Sequence, residues 1–144
     1  MRFRYLCLIT SVSLLAIALA PASGDTAQDA TREATSSLAV NAGQGTFRQF
    51  CAPCHGVDAK GRGPIAAVLN VPPADLTSAE RRNNGQFPLA RLEAMLNATG
   101  LQSAAHGSTQ MPVWGATFRQ IDNSETLVRA RIANLLAYLE SIQE

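Results

Sequence analysis

The sequence predicts one all-α domain behind an export signal. Val128, Ile132, Leu135, Leu139 and Ile142 recur at the three- and four-residue steps of a single helix face. Gly43, Phe47, Phe50 and Cys54 repeat that spacing near the middle of the chain. No alternating apolar–polar stretch of five or more residues reads as a strand. A length of 144 residues suits one domain rather than two.

Taken in order, residues 1–22 have the make-up of a signal peptide. Arg2 and Arg4 precede a stretch from Tyr5 to Ala20 in which 13 of 16 residues are apolar, and Ala20-Pro21-Ala22 offers a small-residue exit. That stretch is shorter than the roughly 20 apolar residues of a comfortable membrane span. Cleavage near Ala22 or Gly24 is therefore expected, with a retained anchor as the alternative. Residues 23–41 are small and polar and read as a flexible leader. The domain proper is expected over residues 42–144. Its first helix should end at Gly56. Pro64 is placed to open a short helix through Leu69, and Pro88 to open a second with Leu89, Leu92, Met95 and Leu96 on one face. Residues 101–123 read as loop. Asp122 and Glu125, three apart, resemble a capping pair for the last helix over 125–142.

Composition narrows the function classes. Lys and Arg number 12 against 11 Asp and Glu, a formal charge of +1, so there is no basic footprint for nucleic acid. Once Arg2 and Arg4 leave with the signal, 10 basic groups face 11 acidic ones. Of three cysteines, Cys7 also lies in the signal, and Cys51 and Cys54 remain. A secreted disulfide scaffold carries four or more. Aromatic residues make up only 6 % of the chain, thin for a core of this size unless something else fills its centre.

Cys51-Ala52-Pro53-Cys54-His55 is a C-x-x-C-H sequence, the signature of covalent haem attachment. Two thiols one helical turn apart can each add to a vinyl group on one porphyrin edge, and His55 then reaches the iron axially. A thioredoxin-like pair would need a βαβ context that the sequence lacks. Zinc would need four ligands from Cys51, Cys54, His55 and His106, and adjacent Cys54 and His55 suit one tetrahedron poorly. For a sixth iron ligand the chain offers Met95, Met111 and His106. Met95 falls on an apolar helix face, where methionine usually fills core. Met111 sits in a loop with its backbone restrained by Pro112, and His106 reads as a surface loop histidine.

These features, with Met111-Pro112-Val113-Trp114-Gly115, resemble the class I c-type cytochromes, especially small bacterial ones with an M-P-x-W-G segment. The resemblance covers residues 41–142. It implies a class I cytochrome c-like fold, several short helices and loops wrapped around one covalent haem c. It makes His55 the proximal ligand and Met111 the distal one. It aligns Gly43 and Phe47 with the family's helix-crossing glycine and aromatic, and Tyr138 with the aromatic that packs on that glycine. Pro64 matches the proline whose carbonyl accepts the hydrogen bond from the ligand histidine. Trp114 is a candidate donor to a haem propionate, with simple packing as the alternative, and Arg81 and Arg82 are candidates by charge. Lysine is nearly absent, Lys60 alone, so the docking ring of mitochondrial members is missing. Arg48, Lys60 and Arg62 would form a smaller basic rim.

The expected function is periplasmic electron transfer between redox protein partners, not catalysis. The membrane is involved only if the N-terminal segment is retained. A haem subunit of a larger dehydrogenase or oxidase complex is the alternative. A five-coordinate haem enzyme or gas sensor is the more distant one.

Overall fold

The computed structural model describes residues 24–97 and 111–144. The predicted signal peptide and His106 lie outside them. Among the described residues five α-helices carry the fold: α1 (Gly24–Thr46), α2 (Ala52–His55), α3 (Leu89–Asn97), α4 (Trp114–Ile121) and α5 (Glu125–Ser141). Among the described residues there is no strand. The all-α expectation holds.

The central crossing joins α1 and α5, the most extensive helix–helix contact. Val128, Ile132, Leu135 and Leu139 are buried, as their spacing predicts, and Leu136 and Tyr138 widen the apolar face. Phe47 is fully buried and its ring centroid lies 5.2 Å from that of Tyr138. Gly43 makes the crossing possible. A Cβ built there would stand 1.9 Å from the Asn134 carbonyl oxygen and 2.8 Å from Tyr138 Cβ. On α3, Leu96 is buried and Leu92 packs against the core, whereas Leu89 is exposed.

Three local expectations are corrected. Helix is already present at Gly24, where the described residues start, and not only from near Asn41, so the segment read as a flexible leader is helical from Gly24 onward. Its alanines favour helix. Thr31 and Thr35 turn their hydroxyls onto the Ala27 and Thr31 carbonyls, both at 2.8 Å, which keeps them from competing with the helix. Thr31 to Leu38 are exposed, and contact with the core starts at Val40. Second, residues 114–121 form α4 inside the stretch read as loop. Trp114 and Phe118, one turn apart, stack with centroids at 5.7 Å, and Thr117 Oγ1 donates to the Val113 carbonyl at 3.2 Å.

Third, Ser124 rather than Asp122 caps α5, its Oγ accepting from the Thr126 N–H at 3.2 Å. Asp122 is engaged elsewhere. Its carboxylate takes two hydrogen bonds from Arg131, at 2.7 and 2.8 Å, and these hold it below the usual carboxylate range. The same guanidinium lies over the Phe118 ring, 5.4 Å from its centroid, tying α4 to α5. Replacing Ser124 by Ala should cost about 1 kcal/mol. For a domain of this size a thermal melt should then fall by about 4–8 °C.

Candidate haem-attachment site

The site is built where α1 runs out. Phe47–Cys51 form a π-helical turn, and Ala52–His55 complete a last α-helical turn with Pro53 near its start, where the missing N–H has no helical partner to lose. Gly56, at φ +82°, ends the helix as predicted. The chain then folds back over the freed carbonyls. The N–H groups of Gly61, Gly63 and Ile65 donate to the carbonyls of His55, Cys54 and Pro53 at 2.7, 3.0 and 3.0 Å. Gly63 has no room for a side chain, since a Cβ would meet the Pro53 carbonyl oxygen at 2.3 Å. Where Pro64 was placed to open a helix, there is only a short 3-10 turn, Ala66–Val68.

Cys51 is buried and Cys54 half-buried, and neither forms a disulfide. Burial pushes the Cys51 thiol up to about 12, with the neighbouring Cys54 adding to the shift. A redox dithiol works through a depressed thiol. This one is displaced the other way, against the thioredoxin-like reading.

His55 is half-buried, and its Nδ1–H donates to the Ala74 carbonyl oxygen at 2.9 Å. Burial pulls its pKa down and the bond to Ala74 partly restores it. With Nδ1 carrying the proton, Nε2 keeps its lone pair for a metal. This corrects the role given to Pro64 by resemblance. Pro64 is exposed, in the segment folded over the carbonyls of α2, and the histidine is met instead by the backbone after Pro72-Pro73. A main-chain carbonyl has no letter of its own in a sequence. The paired prolines, which restrain the backbone leading to Ala74, are the signal that was there to find.

Met111 packs against the hydrophobic core from the segment leading into α4. Met95 is half-buried on α3. Trp114 lies against Phe50 edge-on at 5.7 Å and stacks on Phe118, while Phe50 and Phe118 meet edge-on at 5.3 Å. Phe50 immediately precedes Cys51, and Trp114 follows Met111 by three residues. The aromatic cluster therefore ties the cysteine-bearing segment to the methionine-bearing one. Phe50 was predicted only as part of a helix face, and Phe118 was not predicted.

The predicted basic rim is largely neutralised. Lys60 pairs with Glu144 at 2.8 Å and Arg62 with Asp58 at 2.9 Å. Arg82 donates to the Ser78 hydroxyl within its own turn.

Residues 38–139 match the family model described as cytochrome C oxidase, cbb3-type, subunit III. The chain belongs to that family. Neither the curated proteins nor the solved structures provided a match. A cbb3-type subunit III domain is a c-type cytochrome domain, so its cofactor is haem c and its chemistry haem-based electron transfer. The residues present fit that group. This cytochrome domain offers two unpaired thiols on one helical turn and beside them an imidazole whose Nδ1–H is already bonded. Among its described residues no cluster of three or more His, Cys, Asp and Glu is placed to hold a metal ion. Among the same residues no helix is long and apolar enough to cross a membrane.

Proposed function

We propose that this cytochrome domain carries single electrons in the periplasm, with one haem that Cys51 and Cys54 would attach and that His55 and Met111 would hold. The observation that carries the reading is the bond from His55 Nδ1–H to the Ala74 carbonyl, which leaves Nε2 of a half-buried imidazole as the donor atom. When bound, the haem supplies a one-electron Fe(III)/Fe(II) couple.

The chain's own residues set how that couple behaves. The Ala74 carbonyl fixes the imidazole's tautomer and strengthens its donation. The Met111 thioether, a soft ligand, favours Fe(II) and raises the potential relative to a second histidine. With His55 and Met111 both holding the group, no iron position would be left for a substrate, so the domain would pass electrons between redox protein partners rather than act on a substrate. Trp114, already packed between Phe50 and Phe118, keeps its indole N–H as the candidate donor to a propionate. A second reading makes the same domain a haem subunit fixed to one oxidase, and the family match favours it.

The direct test is mass. Protein matured in a host that attaches haem should retain one haem through acid–acetone extraction. Loss of the haem there overturns covalent attachment. Cys51→Ala should keep a single thioether and show a red-shifted reduced spectrum, because one vinyl group stays unsaturated.

A further inference from the structure

The carbonyl that meets His55 sits in a segment held from an unexpected direction. Upstream of Ala74, the Pro73 carbonyl lies against Gly61, where a Cβ would approach it to 2.2 Å. Downstream, Asp75 Oδ1 accepts from both the N–H and the hydroxyl of Thr77, at 2.9 and 2.7 Å, closing a tight turn. Leu76 N–H donates to the Ala59 carbonyl at 2.8 Å. The remaining ties come from residues just beyond α5. Gln143 Nε2 donates to the Leu76 carbonyl at 2.9 Å, and its Oε1 accepts from the Glu80 N–H at 2.9 Å. Glu144 N–H donates to the Thr77 carbonyl at 2.8 Å, and its carboxylate holds Lys60.

One side chain thus clips both ends of the turn that follows Ala74, from a position 69 residues further along the chain. A peptide carbonyl can turn about the backbone unless its neighbours are fixed. Thr77 and Ser78 are buried and the turn's own bonds fix its shape, but its position relative to His55 depends on what anchors it to the rest of the fold. Gln143 supplies two such anchors, from the residues just past α5, the helix that packs directly on the α1 that leads into Cys51.

We propose that Gln143 is a positioning residue for the proximal ligand: by clamping the Leu76–Glu80 turn it holds the Ala74 carbonyl on His55 Nδ1–H and so sets the reduction potential. The proposal rests on the haem-carrier reading given above. A firmly held acceptor makes the imidazole a stronger donor to iron, which favours Fe(III). Releasing the turn should therefore raise the potential.

The test uses the haem-loaded full chain with Gln143→Met, which keeps the side chain's length and deletes both bonds to the turn together with the one from Nε2 to the Leu139 carbonyl of α5, and with Thr77→Val, which loosens the same turn. Each variant should keep its haem and its low-spin spectrum, show a potential above wild type, and exchange the His55 Nδ1 proton with solvent at least tenfold faster in the reduced state. Ser124→Ala, which weakens α5 at its other end, should lower the melting temperature and move neither readout. An unchanged potential and proton exchange in both low-spin, haem-loaded variants would overturn the clamp while leaving the carrier reading intact. Wild-type protein that holds no haem would overturn both.

Discussion

Gly43→Ala should destabilise the domain by about 3 kcal/mol or more, at or beyond the upper end of ordinary overpacking. An added methyl at position 43 would meet the Asn134 carbonyl oxygen at 1.9 Å and its carbon at 2.6 Å. Both are backbone atoms of α5 and cannot rotate away. The helices would have to separate at their largest contact, pulling Phe47 off Tyr138. For about 100 residues this corresponds to a fall in melting temperature of roughly 12 °C or more. The sign is informative because alanine is the better helix former by about 1 kcal/mol. Gly45, two residues on, has nothing within 4 Å of a built Cβ. Gly45→Ala should therefore raise stability by up to about 1 kcal/mol. Opposite shifts from the same substitution, two positions apart, would isolate the crossing as the cause. Equal shifts of either sign would contradict it.

Met111→Ala should convert a closed haem site into an open one. With the thioether gone, the oxidised protein should lose the weak charge-transfer band near the infrared edge that Met–Fe(III) ligation gives. The potential should fall, and the reduced protein should bind carbon monoxide rapidly. Some stability should go as well, about 2 kcal/mol, because Met111 also packs against the core. Met95→Leu is the control. On half-buried α3 sequence it is a near volume-conserving change costing under about 1.5 kcal/mol, and it should leave the band in place. His106→Ala should also leave the spectrum intact, whereas a bis-histidine protein would lose its low-spin signature. Rapid carbon monoxide binding by reduced wild-type protein would show that Met111 does not hold the iron, and the sensor or enzyme reading would take over.

What was legible in the sequence is what long-range periodicity and punctuation encode. The stripe along α5, from Val128 to Ile142, spans about four turns, so chance cannot easily mimic it, and Leu135 and Leu139 are buried where it puts them. Gly56 and Pro88 mark their helix boundaries because each restricts the backbone in its own way. Helix α4 was missed because eight residues make barely two turns, too few for a period, and its stability comes from Trp114 and Phe118 packing on Phe50. The Gly24–Asn41 part of α1 was missed because a polar segment with no apolar stripe reads as loop, although its alanines permit a helix. At the site, Cys51, Cys54 and His55 announce themselves through side-chain chemistry. The Ala74 carbonyl does not, since every residue carries one, and only the folded chain selects which carbonyl meets the ring. Ser124 and Asp122 were exchanged for a similar reason: both residue types cap helices, and the demand of Arg131 for a carboxylate decides between them.

The aromatic cluster has an optical consequence. Trp114 is the single tryptophan of the chain; it opens α4, three residues after Met111, and lies against Phe50, next to Cys51. Its emission therefore originates at the seam between the Cys51 segment and the Met111 segment, while the two tyrosines contribute little at tryptophan's wavelengths. In the folded cytochrome that emission should be strongly quenched by energy transfer to the porphyrin, and any lifting of α4 away from Phe50 would brighten it. The molecule thus carries a built-in fluorescent gauge of the Phe50–α4 seam, readable separately from the helical signal of α1 and α5.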